Sequence, residues 1–229
     1  MSLSLQAIVF DFDGVIANSE PLHLMAFQQA LAAEGVGLTA SDYYARYLGY
    51  DDVGTFEALG RDRGMRMDAE RVAALVASKG ERMRALLHDG AVLFPGAVDF
   101  IREAAAVVPI AIASGALRHE IDEIIDSAGI GSLFKAIVAS GDTPDSKPSP
   151  APYRLAFERL CESTGRALDP RRSVAIEDSR WGLDSARGAG LRLVGVTNSY
   201  GADELSGAEL VVDGLRALTL PVLDRLCAG

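Results

Sequence analysis

Basic and aromatic residues are scarce in this 229-residue chain, and the shortages narrow what it can be. Lys and Arg number 22 against 32 Asp and Glu, a formal net charge of −10. Such a molecule repels nucleic acid and anionic lipid at long range, so no nucleic acid and no membrane is expected as a partner. Only two cysteines are present, Cys161 and Cys227. Both sit in apolar, helix-like contexts without metal-type spacing and read as free thiols, so nothing demands an oxidising compartment. No run approaches the roughly 20 apolar residues that span a bilayer. No basic segment followed by an apolar core and cleavage site opens the chain, and a cytoplasmic location is expected. Repeats, low-complexity tracts and heptads are absent too, so a monomer is expected, with a weak homodimer as the alternative. Against 7% aromatic residues stand 49% hydrophobic ones, enough to bury one good-sized core, or a core with a smaller satellite.

The most informative stretch is Ala7-Ile8-Val9-Phe10-Asp11-Phe12-Asp13-Gly14-Val15-Ile16. Its apolar start reads as a buried strand. Asp11 and Asp13 then leave the carboxyl end, and Gly14 lets the backbone turn sharply. Two acids packed at such a rim repel each other, which makes sense if a cation or a shared proton offsets the charge. An Asx-rich turn ending an ordinary strand is the plain alternative.

Two changes of character follow. From about residue 19 to 88 there is no convincing strand, only amphipathic helical segments. The first has Asn18 or Ser19 as its cap, Pro21 in its first turn, and Leu24, Phe27 and Leu31 along one stripe. The last begins near Asp68 and spaces Val72, Leu75, Val76, Met83, Leu86 and Leu87 for burial. From Phe94-Pro95-Gly96 onward strands alternate with helices, the sign of a parallel sheet covered on both faces. Strands are predicted at 109–114, 136–140, 173–177 and 192–197, with a short addition at 209–212. The helices fall at about 97–106, 118–128, 150–163, 180–188 and 215–226. The expected fold is α/β, a Rossmann-like doubly wound parallel sheet with an all-helical cap inserted after the first strand. The domain boundaries are 1–17 and 91–229 for the core and 18–90 for the insert, two bodies that can open and close like a lid.

Several strands end in polar residues suited to one task. Ser114-Gly115 offers a hydroxyl and an accessible N–H for an anionic oxygen, or is merely a turn and helix cap. Lys147, in Ser146-Lys147-Pro148-Ser149-Pro150, is held at a proline-stiffened helix start, or is a solvated loop lysine. Glu177-Asp178-Ser179 ends another strand, where Asp178 or Ser179 caps the next helix. Together, Asp11, Asp13 and an acid from Glu177-Asp178 supply hard oxygen ligands for Mg²⁺, while Ser114 and Lys147 supply donors for a phosphoryl group. All lie on one edge if the sheet is parallel.

These residues resemble a known family. Asp11-Phe12-Asp13-Gly14-Val15, Ser114, Lys147 and Glu177-Asp178-Ser179 match in order and context the four motifs of the haloacid dehalogenase superfamily. Asn18-Ser19-Glu20-Pro21-Leu22-His23, Phe94-Pro95-Gly96 and Ser146-Lys147-Pro148-Ser149-Pro150 look like its branch of β-phosphoglucomutases and sugar-phosphate phosphatases. The resemblance covers essentially the whole chain. It implies that Asp11 is a nucleophile forming an aspartyl-phosphate and that Asp13 is the acid and then the base. It further implies Mg²⁺ on the Asp11 carboxylate, the Asp13 carbonyl and Asp178 with Glu177 behind them, and Ser114, Gly115 and Lys147 on the phosphoryl oxygens.

Departures from the family pattern refine the expectation. β-Phosphoglucomutase grips a second phosphate with cationic or polar residues in the insert and the second-strand loop. Here Leu48-Gly49-Tyr50-Asp51-Asp52 has no Arg or Lys, and Ser114 is followed by Gly115-Ala116-Leu117. This favours a phosphatase over a mutase, with Arg118 the main feature that keeps the mutase reading open. The family's acid after Lys-Pro-x-Pro is Ala151 here, and Ser149 is expected to take over capping. His23, Gly49, Tyr50, Asp52 and Arg118 are the candidate specificity residues. The expected activity is Mg²⁺-dependent hydrolysis of a small phosphorylated metabolite, a sugar or polyol phosphate. From a different class, a phosphate-accepting receiver module also uses an acidic cluster, a hydroxyl and a lysine on a parallel sheet. Receivers are about half this length and lack an insert.

Overall fold

The computed structural model describes residues 3–48, 50–88 and 92–228. Strand β1 (Ala7–Phe10) is followed by four helices, α1 (Glu20–Ala32), α2 (Ala40–Arg46), α3 (Asp52–Arg63) and α4 (Ala69–His88). The chain then alternates through α5 (Ala97–Ala105), β2 (Ile110–Ala113), α6 (Arg118–Ser127), β3 (Phe134–Val138), α7 (Ala151–Thr164), β4 (Ser173–Glu177), α8 (Arg180–Gly188), β5 (Arg192–Val196), β6 (Leu210–Val212) and α9 (Leu220–Cys227). Two compact units result, Met1–Asn18 with Ala91–Gly229, and Ser19–Gly90.

The first unit is built on a six-stranded sheet in the order β3-β2-β1-β4-β5-β6, every pairing parallel. The order in which the chain lays down its strands reverses between β1 and β4, and at such a switch point the connections leave to opposite faces of the sheet and open a crevice at the carboxyl ends. Side chains alternate between faces. Ile8 and Phe10 face one way, where Phe10 meets Phe100 and Phe134 edge-on at centroid distances of 6.2 and 6.3 Å. Ala7, Val9, Ala111, Ala113, Val138 and Ala175 face the other, in one cluster with Tyr153, Ala156 and Leu160 of α7. The alanines keep that face shallow and let α7 lie close to the strands. By the same parity Asp11 follows Ala7 and Val9, and Glu177 follows Ser173 and Ala175, so both acids fall on the α7 side of the sheet.

The second unit is all-helical, with its own core of Leu24, Phe27, Leu31, Tyr43, Tyr47, Phe56, Leu59, Val72 and Leu75. Phe27 meets Phe56 edge-on at a centroid distance of 5.1 Å and Tyr43 at a tilt at 5.7 Å. The predicted stripe Leu24, Phe27, Leu31 is buried. Ser19 stands before α1, but its backbone is already helical and its hydroxyl makes no cap bond.

Two elements differ from the sequence reading by more than one residue. β3 begins at Phe134 rather than at 136, because a 3-10 turn over Gly131–Leu133 delivers Phe134 into register with Ile110. The chain at 215–226 is not one helix but a 3-10 turn, Leu215–Ala217, followed by α9. Leu218 and Thr219 are extended between them, and Pro221 lacks the N–H and has the ring that would clash if the helix ran through.

Candidate active site

Backbone register brings the acids together before any side chain is considered. Phe10 pairs with Ile176, and the Asp11 N–H donates to the Ile176 carbonyl at 2.9 Å, so Asp11 and Glu177 leave adjacent strands at one level. On the other side Phe10 pairs with Ile112, two residues before Ser114. Carboxylate oxygens of Asp11, Glu177 and Asp178 lie within 4.8 Å of one another, and all three residues are buried.

Lys147 joins this cluster as its cation. Its ammonium is 2.5 Å from Asp11 Oδ1 and 2.6 Å from Glu177 Oε1, with 15% of the side chain exposed, so it is no solvated loop lysine. The ring of Tyr153 lies under it at 4.9 Å. Burial works against the ammonium, but Asp11 and Glu177 outweigh it and hold the Lys147 pKa above its usual value.

Both oxygens of Glu177 are engaged. Oε1 accepts from Lys147 and from the Tyr153 hydroxyl at 3.1 Å. Oε2 accepts from the N–H groups of Asp178 and Ser179 and from the Ser179 hydroxyl. This crowding needs Gly182 in the first turn of α8, where a Cβ would lie 1.7 Å from Glu177 Oε1. Ser179 also accepts from the Gly182 N–H and so caps α8. The capping alternative therefore falls to Ser179 and leaves the Asp178 side chain for the cluster.

Gly14 makes the turn out of the acidic loop at φ +82°, and a Cβ there would lie 1.8 Å from Asp178 Oδ2. Asp13 is half-buried, and its charge adds to that on Asp11. Burial, opposed by Lys147 and reinforced by Glu177 and Asp13, pushes the Asp11 carboxyl up to about 8. Asp178 is likewise raised, by burial and then by Glu177 and Asp11. Three buried carboxylates against one ammonium leave an excess of negative charge and hard oxygen donors, a set that fits Mg²⁺. With Glu177 saturated by hydrogen bonds, Asp11 and Asp178 are the carboxylates left to hold it.

Ser114 is buried, its N–H donating to the Val138 carbonyl and its Oγ accepting from the Ala116 N–H, both at 2.9 Å. Helix α6 starts only at Arg118, so Ser114 does not cap it, and Gly115 is exposed. Ser149 accepts from the Ala151 N–H at 3.3 Å, but the cap position of α7 is Pro150 and the helix has no side-chain cap bond, so the capping role expected of Ser149 is not seen. Arg118 is fastened to Asp122, both carboxylate oxygens 2.9 Å from its Nε, with 57% of its side chain exposed.

In the helical unit His23 and Asp52 come together through Lys79, which the sequence reading passed over. Lys79 is 1% exposed, with Asp52 at 3.0 Å and His23 Nδ1 at 2.7 Å. The ammonium donates to the imidazole, which is therefore neutral, and burial followed by the Lys79 charge lowers the His23 pKa to about 3. Beside them Tyr43 donates to Glu20 at 2.5 Å. Tyr50 is 54% exposed, and Gly49 lies outside the described residues.

Comparison with known proteins agrees with this geometry. The chain is 32% identical to protein CbbY of Rhodobacter capsulatus, over 98% of this chain and all of the relative. It is 26% identical to the fructose-1-phosphate phosphatase YqaB of Escherichia coli, over 82% of this chain and 95% of the relative. CbbY of Rhodobacter sphaeroides, solved in complex with phosphate and, as a point variant, with xylulose-1,5-bisphosphate, superposes with a TM-score of 0.82 at 30% identity. That match covers 93% of this chain and 96% of the other. A family model described as haloacid dehalogenase-like hydrolase matches residues 8–196, and the chain belongs to that family.

Proposed function

We propose that this protein is a Mg²⁺-dependent phosphatase that hydrolyses a small phosphorylated metabolite, a sugar or polyol phosphate, through an aspartyl-phosphate. The observation that supports this most directly is the bridge of Lys147 between Asp11 and Glu177 with Asp178 alongside. A receiver module falls away with the family assignment.

Asp11 attacks phosphorus in line, forming the bond from its carboxylate oxygen to phosphorus as the ester P–O bond breaks. Asp13 gives its proton to the leaving oxygen. In the second half Asp13 takes a proton from water, which attacks phosphorus and frees Asp11. Lys147, the Ser114 hydroxyl and the Gly115 N–H hold the non-bridging oxygens of the transferring group. Glu177 fixes Lys147 and does not meet the phosphoryl group. Asp11, the Asp13 backbone carbonyl and Asp178 would hold Mg²⁺, which when bound offsets charge on the carboxylates and on the phosphoryl oxygens.

Within the helical unit His23, Gly49, Tyr50 and Asp52 are the specificity residues of this reading, with Lys79 added to them. Phosphatase is favoured over mutase because Arg118 is occupied by Asp122 on the exposed face of α6 and the charge of Lys79 is matched by Asp52. A sugar phosphate is the favoured class because YqaB is named for one and the Rhodobacter sphaeroides protein was crystallised with a sugar bisphosphate.

The test is a phosphate-release screen across sugar, polyol, nucleotide and amino-acid phosphates, with Mg²⁺ present or chelated. Release is expected from a sugar or polyol phosphate, lost on chelation and absent in Asp11→Asn. Release that survives in that variant would overturn the covalent step.

A further inference from the structure

The exit of β5 belongs to none of the four motifs, yet it closes on the acidic loop. Thr197 donates its N–H to the Val212 carbonyl at 3.0 Å, which anchors the chain where β5 ends. The next two side chains then contact both arms of the cluster. Asn198 Nδ2 donates to the Gly14 carbonyl at 2.7 Å, across 184 residues of sequence. The Ser199 hydroxyl bonds the Asp178 carboxylate, and its Oγ would lie 2.8 Å from a Cβ on Gly14.

Gly14 is thereby fixed on both sides. Its N–H donates to the Ala17 carbonyl at 2.8 Å, and its own carbonyl accepts from Asn198. Because each peptide unit is planar, the first bond sets the plane that contains the Asp13 carbonyl, and the second sets the plane that follows. The Val15 N–H to Phe12 bond, at 3.3 Å, is the longer of the two that hold the plane after Gly14, so loss of the Asn198 bond would loosen a residue with glycine's wide backbone range and let the aim of the Asp13 carbonyl vary. Asp178 faces the equivalent problem, since a carboxylate in a crowd of like charges turns away unless a donor holds it.

We propose that Asn198 and Ser199 are positioning residues for the Mg²⁺ ligands. Asn198 locks the Asp13-Gly14 turn so that the Asp13 carbonyl keeps its aim, and Ser199 orients the Asp178 carboxylate toward the same point. The inference rests on the functional reading above and extends it to a fifth strand exit.

The test uses Asn198→Ala, Ser199→Ala and Ser199→Thr in the full chain. Mg²⁺ binding is measured calorimetrically without substrate, and the Mg²⁺ concentration for half-maximal phosphate release is measured beside it. Both alanine variants are expected to weaken Mg²⁺ binding about 10-fold, the low end of what partners behind metal ligands contribute. KM should move less than about 3-fold at saturating Mg²⁺, since no contact to substrate is removed. Ser199→Thr keeps the hydroxyl and should restore wild-type binding. Should Asn198→Ala fail to fold, the Ser199 pair decides alone. Wild-type Mg²⁺ affinity in the alanine variants, or loss of melting temperature in chelator with affinity unchanged, would overturn the positioning role and leave the phosphatase reading intact. A wild-type protein that binds no Mg²⁺ and releases no phosphate would sink both.

Discussion

At Gly14 one absent Cβ has two consequences. The backbone sits at φ +82°, and the space a side chain would take is held by Asp178 Oδ2. Gly14→Ala should therefore cost about 2–3 kcal/mol from backbone strain and overlap together. Displacing the acids by ~1 Å should lower turnover about 100-fold. Urea denaturation and phosphate release check the two parts, and a variant of wild-type stability would contradict the geometry.

His23 gives a pH signature. Its folded pKa of about 3 lies below the ordinary 6.5, so the unfolded chain binds more protons between those values, and stability falls as pH drops through that window. Lys79 and Asp52 contact this group directly or through the ammonium, and nearby Glu20, whose carboxyl burial pushes up from 4.5, works in the opposite sense above that value. Comparing urea midpoints at about pH 7.5 and about pH 5, the wild type should lose more stability than His23→Gln; equal losses would contradict a buried neutral imidazole.

Legibility at this scale followed chain context. Asp11, Lys147, Glu177 and Asp178 could be read because each stands after an apolar strand or in a proline-stiffened loop. Lys79 could not, since Ser78-Lys79-Gly80-Glu81 looks like any solvated helix face and its partners are on α1 and α3. Asn198 and Ser199 carried no signal in the sequence, because their contacts lie 184 and 21 positions earlier in the chain, at Gly14 and Asp178.

Among the elements, α8 carries a glycine in its first turn against helix propensity. Alanine is favoured over glycine inside a helix by about 1 kcal/mol, so Gly182→Ala would stabilise an ordinary helix. Here the new Cβ would fall 1.7 Å from a Glu177 oxygen, and the carboxylate is held by five donors that resist its moving. Overlap in a packed site costs about 1–3 kcal/mol. The net sign is therefore destabilising, and thermal or urea unfolding reads it directly; a more stable variant would show that Glu177 is free to move.

Elements were legible where one periodicity ruled. The strands at 173–177 and 192–196 are close to their predicted spans because an apolar run stops at a polar residue. β3 slipped by two positions because Phe134, which fills the space beside Phe10, sits directly after a 3-10 turn that apolar patterning does not distinguish from loop. The single helix predicted at 215–226 broke because apolar spacing continued through Leu218 and Leu220 while Pro221 forbade the hydrogen bonds.

For the whole molecule, the decisive property is strand order. A parallel sheet was readable from alternating strands and helices, but the order β3-β2-β1-β4-β5-β6 was not, since no local pattern says which strand lies beside which. That order puts β1 and β4 side by side at the reversal of the sheet. It explains why Asp11 and Glu177, 166 positions apart, share one lysine. On the function proposed here, it also lets a protein of net charge −10 take an anion, because the attraction would come from the fixed Lys147 ammonium and the Mg²⁺ that the acids would hold rather than from the overall field.

The central claim is that phosphorus passes through the Asp11 carboxylate. Borohydride added during turnover of a sugar phosphate with Mg²⁺ reduces an acyl phosphate, which converts the aspartate that carries it to homoserine. Peptide mass spectrometry should find homoserine at position 11, only with substrate and Mg²⁺ present and never in Asp11→Asn. Steady phosphate release with Asp11 unmodified throughout, or trapping at a different carboxylate, would contradict it.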